Sequence, residues 1–90
     1  MPVLMLVTDR NAAGGEAELV RKVAEAVESG ANVVQLREKD LGRRALVALG
    51  LQLARVVRGH ALLICNGSRG DAFEMGADGV HLPEAVPLAR

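Results

Sequence analysis

Apolar positions along this chain come in two alternating patterns. Residues 2–7 (PVLMLV) form a short uninterrupted apolar run that stops at Thr8-Asp9-Arg10 and then at NAAGG. An apolar run of this length, bounded by turn residues, predicts a buried strand. Over residues 16–29 the spacing changes. Leu19, Val20, Val23, Ala24 and Val27 recur as one helical face, and Gly30 ends the series. Glu18 and Lys22 stand in the i,i+4 order that supports such a helix.

The two patterns then repeat. NVVQL predicts a second strand, and Leu46, Leu49, Leu53, Val56 and Val57 mark a second amphipathic helix ending near Gly59. Residues 61–65 (ALLIC) predict a third strand, residues 69–75 a short helix closed by Gly76, and residues 78–82 (DGVHL) a fourth strand. PEAVPLAR reads as the start of a further unit. GANVVQL at 30–36 and GADGVHL at 76–82 align residue for residue, 46 positions apart, each with a polar residue (Gln35 or His81) before its last leucine. Apolar strands joined by helices predict a parallel sheet covered by helices. The candidates are a doubly wound sheet and a (β/α)8 barrel.

In both architectures ligands bind at the C-terminal ends of the strands. On this reading the strand ends carry Thr8-Asp9-Arg10, then Gln35 with Arg37 and Lys39, then Asn66-Gly67, then His81. Residues 32–44 (NVVQLREKDLGRR) are the most informative, because a strand there runs directly into a polar cluster. Extended backbone would aim Arg37 and Lys39 the same way. An arginine fork beside a lysine point charge suits a phosphate or pyrophosphate. The competing expectation is a charged turn in which Glu38 and Asp40 neutralise both cations. His81, inside an apolar strand, reads first as a hydrogen-bonded core residue. His60 reads as solvated, and Cys65 as a buried strand residue with no cation to activate it. Asn66-Gly67 is first a turn signal, although an amide at that edge can orient a ligand. No Walker or Rossmann glycine loop is present.

Composition narrows the function classes. Eleven Lys+Arg balance eleven Asp+Glu, so the chain lacks the basic field that nucleic acids or anionic membranes require. With no Trp or Tyr and one Phe, Phe73, it also lacks stacking platforms for bases. A single cysteine permits no internal disulfide and no zinc cluster. No apolar run approaches the roughly 18 residues of a membrane span, and the N-terminus lacks the marks of a signal peptide. The expectation is a soluble, cytoplasmic chain of a single domain, with a small core.

LVTDR, VVQLREKDL and ICNGSRGDAFEMGADGVHL, with their spacing, resemble the N-terminal half of the thiamine phosphate synthase/TenI family over essentially all of residues 1–90. The resemblance implies a partial (β/α)8 TIM barrel of about four βα units. For the synthase it implies that Gln35, Arg37 and Lys39 hold the pyrophosphate of an aminopyrimidine substrate. Asn66 would also touch that pyrophosphate, and His81 would line the pyrimidine pocket.

The chain departs from the synthase pattern at three places. Gly67 and Val86 stand where the synthase carries its two magnesium carboxylates, and Met5 replaces an aromatic residue common before the LVTD motif. Asn66-Gly67 and Leu82-Pro83 instead resemble the TenI branch. Members of that branch are metal-free tautomerases that isomerise a carboxythiazole phosphate by proton transfer. The resemblance therefore implies a thiazole tautomerase without metal or cofactor, acting on a small phosphorylated thiazole. A magnesium-dependent synthase that joins an aminopyrimidine pyrophosphate to a thiazole phosphate is the alternative. A non-catalytic, phosphate-binding half-barrel is a third reading.

The tautomerase's general acid/base histidine and the family's glycine-rich phosphate site would fall beyond Arg90. A closed barrel takes about 200–250 residues, and four parallel strands leave two open edges. The ninety residues are therefore expected to be a fragment, or one half that assembles with a second copy or with a missing C-terminal half. Alone, they are expected to be inactive and prone to association.

Overall fold

The computed structural model describes residues 3–81. In chain order these form β1 (Met5–Val7), α1 (Arg10–Ala13), α2 (Glu16–Glu28), β2 (Val33–Leu36), α3 (Arg43–Val57), β3 (Leu62–Asn66), α4 (Arg69–Met75) and β4 (Gly79–His81). The strands are parallel and lie in one sheet in the order β1-β2-β3-β4. This order separates the two candidate architectures. A doubly wound sheet reverses direction at a switch point, whereas here each new strand adds on the same side, as in a barrel wall.

The helices cover one face of the sheet. Val34, Leu36, Leu63 and Cys65 are fully buried and share a core with Leu19 and Val23 of α2, Leu49, Leu53 and Val57 of α3, and Ala72 and Met75 of α4. Their neighbours along each strand point the other way, as the two-residue period of a strand requires. On that second face Met5, Val7 and Leu62 are exposed, and Val33, Gln35 and Ile64 are half-buried. The sheet thus alternates and is covered by helices on one face, as the wall of a barrel is.

α3 and α4 pack closely enough to require a glycine. A Cβ on Gly50 would lie 2.8 Å from Met75 Cβ and 2.9 Å from its Cε. Glycine weakens a helix interior by roughly 0.5–1 kcal/mol relative to alanine. Here that loss accompanies the seating of Met75, which is fully buried.

Several predicted boundaries move. β1 begins at Met5, and Pro2 lies outside the described residues. Just before it, Leu4 donates its N–H to Asn32 Oδ1 at 2.9 Å, and its carbonyl accepts from the Asn32 N–H at 3.0 Å. The NAAGG stop is in fact the helical turn α1. Asp9 caps it by accepting from the Ala12 N–H at 3.1 Å, and Gly14 closes it with φ 100°. β3 runs through Asn66, one residue beyond the predicted end. Leu82 and the expected further unit at PEAVPLAR lie outside the described residues.

The expected Glu18–Lys22 pair is replaced by Arg21, which reaches Glu18 and Glu25, each at 2.7 Å. A guanidinium fork can serve carboxylates on both neighbouring turns, which a single ammonium does less well. Among the described residues no helix is long and apolar enough to cross a membrane.

Candidate functional site

The parallel register lays out the C-terminal edge of the sheet in levels. Val7, Gln35, Ile64 and Gly79 stand side by side, and one step beyond Leu36 and Cys65, Asn66 pairs with His81. Gln35 and Asn66 share the uncovered face. The Asn66 amide donates to Gln35 Oε1 at 3.2 Å, and the Gln35 amide nitrogen lies 3.8 Å from Met5 Sδ. Asn66, read from sequence first as a turn residue, is a strand residue whose side chain bridges β3 to β2. His81 is exposed at the end of β4 rather than packed in the core, and its carbonyl accepts from the Gly67 N–H at 3.1 Å.

Beyond Leu36 the chain is steered by Thr8. This buried residue donates its N–H to the Gln35 carbonyl at 2.9 Å, and its hydroxyl accepts from the Arg37 N–H, also at 2.9 Å. Extended backbone does not continue to Lys39. The chain turns there, with the Leu41 N–H donating to the Glu38 carbonyl at 3.2 Å. The turn still brings Arg37 and Lys39 together. Both line an open depression of about 650 Å³ with Val7, Thr8, Asp9, Asn11, Glu38 and Asp40. Gln35, Asn66 and His81 do not line it.

The acids in this cluster are engaged elsewhere. Glu38 is buried, and both of its carboxylate oxygens accept the Arg10 N–H, at 3.1 and 3.2 Å. The Arg10 guanidinium approaches Glu38 Oε1 to 4.0 Å, binds Asp40 Oδ2 at 3.0 Å and donates to Asn11 Oδ1 at 3.0 Å. Glu38 and Asp40 therefore serve Arg10. Among the described residues neither Arg37 nor Lys39 forms an ion pair. The sequence reading missed Arg10 as the acids' partner. Asp9 was the available signal: an Asp that caps a helical turn makes the next residue's N–H an orphan donor, which seeks an acceptor.

Cys65 lies on the helix-covered side of the sheet, where burial, and secondarily the charge of Asp71, push its thiol pKa up. A raised pKa favours the neutral thiol over the nucleophilic thiolate.

In this chain the first of the two places where the synthase pattern carries a magnesium carboxylate is Gly67, between β3 and α4. Gly67 supplies no carboxylate, and a Cβ there would meet only Cys65 Sγ, at 3.7 Å. Among the described residues no group of three or more His, Cys, Asp or Glu side chains could hold a metal. Val86 lies outside the described residues.

Together the order of the strands and the single helix-covered face define a (β/α)8-barrel-like arrangement whose C-terminal strand edge carries polar side chains. The chain belongs to the thiamine monophosphate synthase family, whose model matches residues 4–87. It is 42% identical over 81 residues to a thiamine-phosphate synthase of Roseiflexus castenholzii, covering 89% of this chain and 35% of that protein. It is also 42% identical over 89 residues to a thiamine-phosphate synthase of Albidiferax ferrireducens, covering 97% of this chain and 40% of that protein. Among solved structures, a thiamine phosphate pyrophosphorylase from Pyrococcus furiosus superposes with a TM-score of 0.80 at 34% identity, over 94% of this chain and 41% of that one. The chain thus spans about two fifths of the length of these relatives.

Proposed function

We propose that this segment forms the anion-binding edge of a cytoplasmic thiamine-biosynthesis enzyme of the thiazole tautomerase type. The carrying observation is the commitment of Glu38 and Asp40 to Arg10, which leaves Arg37 and Lys39, at one depression, without an ion pair among the described residues. Two cations there suit the phosphate of a small thiazole substrate, the guanidinium by paired hydrogen bonds and the ammonium as a point charge. The amides of Gln35 and Asn66, with His81 beyond them, would orient the remainder of the substrate from the adjoining strands. Gly67 supports the tautomerase reading over the synthase, since a metal-free proton transfer needs no carboxylate at that place.

The second reading is a magnesium-dependent synthase, and the names of the relatives favour it. Incubation of a carboxythiazole phosphate with the full natural protein, with and without an aminopyrimidine pyrophosphate and with and without excess chelator, followed by NMR, separates the two. Persistent isomerisation under chelator is the expected result. Coupled product that forms only when the aminopyrimidine pyrophosphate is present, with release of pyrophosphate, and that is lost on chelation and restored by Mg²⁺, would instead establish the synthase reading. Arg37→Gln and Lys39→Gln should each raise KM by about tenfold, equivalent to about 1.4 kcal/mol of binding.

A further inference from the structure

Arg10 stands outside the depression, yet it holds two of the acids that line it. Its side chain is 17% exposed and that of Glu38 is 3% exposed, so the contact lies behind the binding edge. Asp40 is 56% exposed and is reached by the outer end of the same guanidinium at 3.0 Å. Asp9, the remaining acid at the depression, directs its carboxylate to the Ala12 N–H. Glu38 and Asp40 alternate in sequence with Arg37 and Lys39. Without the Arg10 side chain, Asp40 loses its ion pair and Glu38 keeps only the residue 10 N–H, so their charges act on the two cations of the same turn, and opposite charges at such spacing attract strongly.

We infer that Arg10 is a positioning residue that sequesters Glu38 and Asp40, and so keeps Arg37 and Lys39 available to an anionic ligand. The assignment rests on the anion-binding role proposed above for Arg37 and Lys39 and extends it to the device that keeps the site cationic. Arg10 acts through the acids and makes no contact with the ligand. One guanidinium on α1 thereby converts a neutral REKD cluster into a site with two uncommitted positive charges.

The test is calorimetric binding of inorganic pyrophosphate to the full natural protein and its variants, each checked for folding by circular dichroism. Arg10→Gln is expected to weaken binding at least fivefold. The triple variant Arg10→Gln, Glu38→Gln, Asp40→Asn is expected to restore affinity to within about twofold of wild type, since it removes the acids that Arg10 restrains. Gln at position 38 keeps an acceptor for the residue 10 N–H, so this variant retains that contact.

Failure of the triple variant to recover would overturn the inference in favour of direct contact or simple scaffolding. So would unchanged affinity in Arg10→Gln. If Arg10→Gln does not fold, Arg10→Lys, which keeps the charge, should bind within about threefold of wild type. A loss above tenfold in folded Arg10→Lys would overturn the inference. The underlying reading fails in a different way: the double variant Arg37→Gln, Lys39→Gln would then bind pyrophosphate as wild type does.

Discussion

The side-chain amide of Asn66 donates to Oε1 of Gln35 across 3.2 Å, joining the ends of β3 and β2 on the face that the helices leave uncovered. The two residues belong to different βα units, and the parallel register brings them together. Gln35 pairs with Ile64, which places Asn66 one full pleat further on the same face. The contact is both a cross-strand tie and the alignment of two amides that flank the proposed anion site.

Asn66→Ala should therefore lower stability by about 1 kcal/mol, the usual net worth of such a hydrogen bond. In a double-mutant cycle with Gln35→Ala, the two losses should be less than additive by at least about 0.5 kcal/mol. Urea unfolding of the four proteins measures the coupling. Asn66→Asp is the sharper probe, because it removes the donor and adds a negative charge. It should weaken pyrophosphate binding more than Asn66→Ala does, and the opposite ranking would remove Asn66 from the site.

A second prediction concerns the short helix α4. Ser68 accepts from the Asp71 N–H at 3.1 Å, capping a seven-residue helix that delivers Ala72 and Met75 to the core. Ser68→Ala should cost about 1 kcal/mol, and Ser68→Asp should be nearly neutral because it keeps an acceptor at the N-cap. Thermal melts of both variants check this. An equal loss in the two would mean that capping is not what position 68 contributes.

The periodic positions made the fold legible. Leu19 and Val23, or Leu46, Leu49 and Leu53, identify helices because one face must be buried, and those residues are indeed the core. The repeat of GANVVQL and GADGVHL likewise identified equivalent strands, and both lie in the one parallel sheet. What could not be read locally was which charges would meet. Glu38 looks like a partner for its neighbours Arg37 and Lys39. Its actual partner, Arg10, is 28 residues away in sequence and arrives only when β1 pairs with β2. The backbone leaves its extended course before Lys39 for a related reason. Thr8 anchors Arg37, and the chain turns immediately afterwards, a constraint that comes from another strand. The close approach at Gly50 was equally invisible, because an isolated glycine inside a helical pattern does not reveal what packs against it.

That close approach yields a third prediction. Gly50→Ala improves local helix propensity by up to about 1 kcal/mol, yet its Cβ would lie within 3 Å of Met75 Cβ and Cε. Overpacking of a tight core contact typically costs about 1–3 kcal/mol. The net effect should be destabilising, and Met75→Ala should relieve part of it when combined with Gly50→Ala. Denaturant midpoints of the single and double variants provide the check. A stabilised Gly50→Ala would show that α3 and α4 have room to separate.

The last prediction concerns pH and Cys65. Burial raises this thiol's pKa above its ordinary value of 9.0 in the folded chain, with Asp71 acting in the same direction. The folded state therefore holds the proton more tightly than the unfolded state. Linkage then fixes the sign. The contribution is complete below the ordinary thiol pKa and is lost as pH rises through 9 toward the raised folded value. Wild type should thus lose stability above about pH 9 relative to Cys65→Ala, which has no thiol to ionise, while the difference between the two stays flat at lower pH. The chain contains no tyrosine to titrate in the same window, so the difference curve isolates the thiol. Reaction with a thiol reagent at pH 8 tests the same burial independently. It should be slow in buffer and accelerate with urea, tracking the opening of the core. Labelling at the rate of a free thiol in buffer would place Cys65 on an accessible surface and remove the physical basis for the pH effect.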